Sequence, residues 1–227
     1  MSRIKDRPIV SCAPNFAYDL CVRKITSTQR ETLGLSNWCL ALNGAEPVRI
    51  ETLKRFTKTF EPCGFRWEAF WPAYGLAEAT LVVSGGQKTE PPIIHKINKT
   101  ALANNRAVDA GNDDEGTCTL VGCGRTLVDQ TIAIVDPVSL TRCLPDQIGE
   151  IWVSGPSVTQ GYWNRAEETE STFQAHLADT GEGPFLRTGD LGYLRNGELF
   201  ITGRLKDLII IRGSNHYPQD INHVRSH

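Results

Sequence analysis

Apolar and polar residues alternate along this chain with two different periods. Ile50, Leu53, Phe56 and Phe60 fall on one stripe, and Glu51, Lys54, Arg55 and Lys58 fall opposite it, which predicts an amphipathic helix ended by Gly64. Phe16, Leu20 and Lys24 repeat at near-helical spacing in Pro14 to Ile25, where Pro14 stands at a position suited to a helix start. The apolar run Trp38 to Leu42 predicts a strand covered on both faces, stopping at Asn43-Gly44-Ala45-Glu46-Pro47. Ala69-Phe70-Trp71 predicts another, leading into Pro72 to Glu78. Each of these strands is expected to end in a glycine-containing loop that opens a helix, and ligands of open α/β sheets bind at such strand ends.

From Ser84 to about Thr119 the pattern weakens. Gly85-Gly86, Pro91-Pro92 and the polar run Asn104 to Gly116 bracket a single expected strand, Ile93 to Ile97, so the segment reads as an excursion rather than core. Short β-like runs follow at Thr131 to Val135, Glu150 to Ser154, Gly192 to Leu194, Glu198 to Thr202 and Leu208 to Ile211. Turn residues separate most of them, which suits a small antiparallel barrel or sandwich. One helix, about Arg165 to Ala178, interrupts the series, with Asn164 as its expected cap.

Composition adds exclusions. At 227 residues, 40% hydrophobic and 22% charged, the chain can bury a substantial core. A net charge of -2 argues against nucleic acid or an anionic membrane as the main partner. No apolar run approaches the roughly 18–20 residues that span a bilayer, and MSRIKDRPIV has no apolar stretch of signal-peptide type. A cytoplasmic setting is expected. The seven cysteines are odd in number, scattered and free of Cys-x-x-Cys pairs, so reduced and mostly buried thiols are expected rather than a metal site.

The densest polar chemistry lies in Phe185 to Gly213. Arg187-Thr188-Gly189-Asp190 and Gly203-Arg204-Leu205-Lys206-Asp207 flank short alternating runs, and a hairpin between them would bring Asp190 and Arg204 to one rim of a sheet. A carboxylate there can accept two ribose hydroxyls, and a guanidinium can hold a hydroxyl or phosphate oxygen. A surface turn closed by a salt bridge satisfies the same spacing.

The chain resembles the adenylate-forming superfamily of acyl-CoA synthetases, luciferases and peptide-synthetase adenylation domains, and more narrowly the fatty acyl-AMP ligases. The match is carried, in the family's order, by Pro14 to Cys21, Asn43 to Val48, Tyr74-Gly75-Leu76-Ala77-Glu78-Ala79-Thr80, Gly149 to Asn164, Arg187 to Leu191 and Gly203 to Asp220. Asn215 to Asp220 and the Ser84–Thr119 excursion favour the acyl-AMP branch. The resemblance implies an α/β fold, namely part of the large N-terminal domain of these enzymes: an αβα-layered portion plus a small distorted antiparallel β-barrel. It divides the chain into a partial AMP-binding subdomain (1–83), an insertion-like segment (84–119), a barrel-like subdomain (120–205), and a hinge with the start of a C-terminal domain (206–227).

The chemistry implied is attack of a fatty acid carboxylate on the α-phosphate of ATP, giving acyl-adenylate and pyrophosphate, with the acyl group passed to an acyl carrier protein or polyketide synthase. Gly44, Ala45 and Glu46 would line the adenine site, and Tyr74 would lie against the adenine face within the nucleotide-binding run Tyr74, Gly75, Leu76 and Ala77. Phe200 or Ile201 would close the other face. Asp190 would take the ribose hydroxyls, Arg204 the ribose or phosphate side, and Glu78 would hold Mg²⁺. Phe16 and Tyr18 would wall the acyl pocket, with ordinary core packing as the rival reading. Lys206 would be the hinge for domain rotation.

Two family features have no counterpart here. Nothing in residues 1–13 resembles the phosphate loop, and the C-terminal catalytic lysine would lie past His227. The chain is therefore expected to be the middle of a longer enzyme and to adenylate poorly alone. Its fold is expected to be marginal, because Trp38–Leu42 would lack sheet partners. An acyl-CoA synthetase, or a non-catalytic remnant keeping a nucleotide- or acyl-binding surface, are the competing readings.

Overall fold

The computed structural model describes residues 7–111, 116–211 and 214–216. The chain begins with a strand, β1 (Ile9–Ala13), and two helices, α1 (Asn15–Lys24) and α2 (Ser27–Glu31). Strand β2 (Trp38–Asn43), helix α3 (Ile50–Phe60) and strand β3 (Phe70–Leu76) follow. Next come β4 (Leu81–Gly85), β5 (Ile94–Asn98), α4 (Lys99–Ala103), β6 (Thr117–Thr126), β7 (Thr131–Val135) and β8 (Gly149–Ser154). Helix α5 (Ala166–Phe173) precedes β9 (Leu186–Arg195), β10 (Glu198–Arg204) and a small hairpin of β11 (Ile209–Ile211) and β12 (Ser214–His216).

One mixed sheet runs in the order β1-β2-β3-β4-β6-β10-β9-β8-β7, with β5 added on β6. β1, β2 and β3 are parallel, and every pairing from β3–β4 onward is antiparallel. Over the parallel part, Ile50, Leu53, Phe56 and Phe60 of α3 are all buried, as their spacing requires. They pack with Tyr18, Trp38, Phe65 and Phe70, and Phe56 meets Tyr18 and Phe65 edge-on at 5.1 and 4.9 Å. The antiparallel part curls. Tyr74, Val83, Cys123, Ile132, Ile151, Val153, Leu186 and Leu199 come from strands at both ends of the ladder yet share one core cluster, which a flat sheet could not allow.

Several sequence expectations need correction. Trp38–Leu42 is not short of partners, because β1, which no motif marked, pairs with one side of β2 and β3 with the other. The second expected loop-to-helix passage is absent: β3 continues through Gly75 to Leu76 and, after one 3₁₀ turn at Ala77–Ala79, reverses into antiparallel β4. Asn164 does not cap α5; it adopts a left-handed φ of 54°, and Arg165 stands at the cap, its side chain bonded to Glu168 rather than to the helix N–H groups. That helix stops at Phe173 rather than Ala178 because Ala175 bridges to Phe185. Among the cysteines, Cys123 is buried, Cys12 is exposed and the others are intermediate, so most are not core thiols. The expectations for Tyr217 to Asp220, for the 222–227 end and for residues 112–115 of the polar run lie outside the described residues.

The excursion is the largest correction. Its ends fall inside β4 and β6, and Ile97, Leu102 and Ala107 are buried with Tyr193 and Phe200 in a common cluster. His95 of β5 bonds Tyr193 Oη through Nδ1 at 2.6 Å and Asp109 Oδ1 through Nε2 at 2.7 Å. Arg195 grips the same Asp109 with two bonds of 2.6 and 2.8 Å. A segment low in apolar residues is thus fastened by a few well-placed ones and an ionic clasp. Ile97→Ala should destabilise the fold by about 2–5 kcal/mol; an effect below about 0.5 kcal/mol in urea denaturation would contradict a packed excursion.

The clasp also has a pH signature. The Arg195 guanidinium, then His95, hold the Asp109 carboxyl down to about 2 from an ordinary 3.8. A folded-state value below the unfolded one gives stability that is full above about pH 4 and is lost as pH falls toward 2. Asp109→Asn should therefore flatten the acid limb of thermal stability between those values, and an unchanged acid limb would rule the clasp out as a stabilising contact.

Candidate nucleotide-binding site

The site forms where the parallel and antiparallel parts of the sheet meet. At the carboxyl end of β2 the chain turns sharply at Gly44 and at Ala45, whose φ is 66°. A Cβ on Gly44 would stand 3.0 Å from the Ala73 carbonyl oxygen, so the turn lies hard against β3. Asn43, just before it, is fully buried, and its Oδ1 lacks a partner. Glu46 accepts a bond from the Phe16 backbone N–H, which ties this loop to the start of α1.

Tyr74 is 8% exposed and donates its hydroxyl to Asp190 Oδ2 at 2.7 Å. Burial, then the Asp190 charge, push the Tyr74 hydroxyl well above its ordinary value, so it remains a donor. Arg204 donates from Nε to Asp190 Oδ1 at 2.9 Å. The hairpin supplies this contact directly, because Arg204 and Asp190 are cross-strand partners in the β10–β9 register. Residues 74, 190 and 204 are therefore brought together, with Gly44 one strand away. Gly189, at φ 69°, has open space where a side chain would point.

A buried carboxylate that sequence reasoning passed over builds the turn before Asp190. Glu150 is 2% exposed and accepts from Arg187 Nη2 at 2.8 Å, Arg187 Nε at 3.1 Å and the Gly189 N–H at 3.1 Å. Arg187 in turn lies over the Trp152 ring, 5.5 Å from its centre. Thr188 closes the turn, donating to the Ile151 carbonyl and accepting from the Asp190 N–H. A charged residue inside the otherwise apolar strand Gly149–Ser154 was the available signal.

Glu78 stands on the single 3₁₀ turn after β3, separate from the Asp190 group, and Tyr162 Oη donates to its Oε1 at 2.7 Å. Burial, then the bond to Glu78, push the Tyr162 hydroxyl up to about 12. Among the described residues no cluster of three or more His, Cys, Asp or Glu is placed to hold a metal. A single carboxylate still fits Mg²⁺, which commonly takes one or two carboxylates and completes its shell from phosphates and water. Gly75 backs this turn, and a Cβ there would overlap the Leu81 carbonyl. Leu76 is partly buried against the curled core, while Ala77 is exposed at the start of the turn.

Other expected residues fall elsewhere. Tyr18 is 2% exposed inside the aromatic core, its hydroxyl bound to the Leu42 carbonyl at 2.8 Å, so it walls no open pocket. Phe16 is 58% exposed at the start of α1. Phe200 is stacked on Tyr193 at 5.1 Å and is 1% exposed, so it cannot close an adenine face; strand alternation turns Ile201 to the other side. Lys206 is exposed on the 3₁₀ turn directly after β10.

Residues 6–163 match the model of the family described as AMP-binding enzyme. The chain belongs to this family. It is 55% identical, over 93% of its own length, to the medium-chain fatty acid acyl-carrier-protein ligase JamA of Moorena producens, and 41% identical over 96% to TtuA of Teredinibacter turnerae, a ligase of the same description. It spans 36% and 35% of those two relatives. Among solved structures, a fatty acyl-adenylate ligase from L. pneumophila in complex with acyl adenylate and pyrophosphate superposes with a TM-score of 0.83 at 48% identity. That match covers 96% of this chain and 38% of the ligase chain. The mixed α/β sheet is accordingly that of the N-terminal domain of adenylate-forming enzymes. Among the described residues no helix is long and apolar enough to cross a membrane.

Because Glu150 satisfies both Arg187 and a backbone N–H next to Asp190, Glu150→Ala should destabilise this AMP-binding domain by about 1.5–3 kcal/mol. Chemical denaturation checks this, and a change within about 0.5 kcal/mol, the usual range for surface sites, would refute it.

Proposed function

We propose that this chain carries the nucleotide-gripping face of a ligase that activates a fatty acid. The fatty acid carboxylate attacks the α-phosphorus of ATP, the bond to pyrophosphate breaks, and an acyl-adenylate forms. The thiol of an acyl carrier protein then attacks the acyl carbonyl, the bond to AMP breaks, and a thioester forms as AMP leaves. The names of JamA and TtuA and the acyl-adenylate complex among the structural neighbours support this reading. The observation that carries it is the Asp190 carboxylate, 9% exposed and fixed by Tyr74 and Arg204 at the rim where the Gly44 turn meets β3.

In this reading Asp190 accepts the ribose hydroxyls with its remaining lone pairs, and Arg204, half exposed, faces the ribose or phosphate oxygens. The Gly44–Ala45–Glu46 turn offers main-chain groups to adenine, with Tyr74 and the Gly75–Leu76–Ala77 backbone beside it. Glu78 would hold Mg²⁺, which when bound neutralises phosphate charge as pyrophosphate departs. The chain's own contribution is positioning rather than nucleophilic attack. We assign Phe16 to the approach to the acyl site, since it is exposed and its backbone N–H donates to Glu46, and Lys206 to the hinge that follows the nucleotide face. A cytoplasmic setting is supported by the cysteines, no two of which are joined in a disulfide.

Calorimetry with AMP and with a non-hydrolysable acyl-adenylate analogue tests this. The chain should bind both, and Asp190→Ala should weaken each by about tenfold or more, equivalent to about 1.4 kcal/mol. Equal affinity of wild type and Asp190→Ala would remove Asp190 from the site and the reading with it.

A further inference from the structure

Glu78 lacks the support that a helix would give it. Its turn is a single 3₁₀ step, and the next two residues, Thr80 and Leu81, both hold left-handed φ angles of 54° and 76°. Such angles are strained for a β-branched and a bulky residue, and surrounding structure must hold them. The loop 155–165 does so. The Thr159 N–H donates to the Glu78 carbonyl at 2.8 Å, and Thr80 Oγ1 donates to the Ser157 carbonyl at 2.6 Å. Tyr162 then reaches the carboxylate itself, at 2.7 Å.

Tyr162 is itself fixed. Its backbone N–H donates to Thr169 Oγ1 at 2.9 Å, and its ring meets Phe173 edge-on at 5.1 Å. Gly161, at φ 144°, leaves no room for a side chain against Thr169. The hydroxyl therefore arrives from the loop just before α5, and Tyr162, though 38% exposed, is tied to that helix at Thr169 and Phe173.

We propose that Tyr162 is a positioning residue for the carboxylate that would hold the metal, its hydroxyl fixing the orientation of Glu78 through Oε1. The proposal rests on the adenylate-binding reading and adds to it a residue that acts through Glu78. Outer-shell partners of ligating carboxylates typically change metal affinity by about 10–100-fold when removed.

The test uses the 227-residue chain, with Mn²⁺ and ATP as the probe followed by electron paramagnetic resonance, and metal-free AMP by calorimetry. Tyr162→Phe keeps the ring and its packing. It should leave AMP binding within about twofold and weaken Mn²⁺–ATP binding by about tenfold. In a Glu78→Gln background the same change should have no further effect. Wild-type-like Mn²⁺–ATP binding by Tyr162→Phe, or an equal loss of AMP binding, would overturn the positioning role while leaving the nucleotide site intact. A wild-type chain that binds neither ligand would overturn both readings.

Discussion

A carboxylate taken almost wholly out of water must be given partners, and the pairing of Asp190 with Arg204 and Tyr74 is the contact on which this molecule's site depends. Removing a carboxylate from water without compensation costs several kcal/mol, so such a group is buried only where donors are already in place. Here one donor comes from the neighbouring strand by register and the other from β3 across the sheet junction. The turn that delivers Asp190 is in turn anchored by Glu150 and Arg187. Shifting β9 against β10 by one residue would break all of these at once, because each strand residue would change face.

The junction at β3 makes the arrangement possible. β3 is parallel to β2 on one side and antiparallel to β4 on the other. The parallel side places the Gly44 turn at a strand's carboxyl end, where open α/β sheets leave room for ligands. The antiparallel side brings the hairpin that carries Asp190 and Arg204 into the same sheet. Gly75 sits where the two meet, and its missing side chain lets β4 approach the β3 backbone.

Much of this was legible in the chain. Helix α3, strands β2, β7 and β8, and the Asp190–Arg204 hairpin follow from periodicity and turn residues, since each is short-range physics. The AMP-binding family was legible because its motifs are contiguous and keep their order. What escaped was non-local. β6, a ten-residue strand interrupted by Gly122 and Gly124, was not among the expected strands; Glu198 of β10 occupies the space that Gly122 leaves, and the Gly85–Gly86 backbone lies against Gly124. The excursion looked unpacked because its anchors, His95 and Asp109, acquire meaning only when Tyr193 and Arg195 lie opposite them. Phe200 was offered to the ligand, with Ile201 as the alternative, through the family resemblance, and its burial against Tyr193 shows only once the sheet is built. Glu150 and Tyr162 act through other residues, and no spacing rule reveals a partner 37 or 84 positions away.

Each of the two carboxylates takes a phenol donor, Tyr74 at Asp190 and Tyr162 at Glu78, but a guanidinium is added at Asp190, and that difference matches the work proposed for each. Asp190 is paired with a guanidinium, so its charge is largely compensated, and what it still offers is lone pairs suited to neutral hydroxyls. Glu78 is held by a phenol, a donor that fixes direction without adding positive charge. Its negative charge is left uncompensated at that contact, which suits a cation. An arginine in place of Tyr162 would orient Glu78 equally well but would compete with the metal for the charge. In the proposed roles, a phenol at Glu78 and a phenol joined by a guanidinium at Asp190 would separate cation binding from sugar binding while the same functional group serves both.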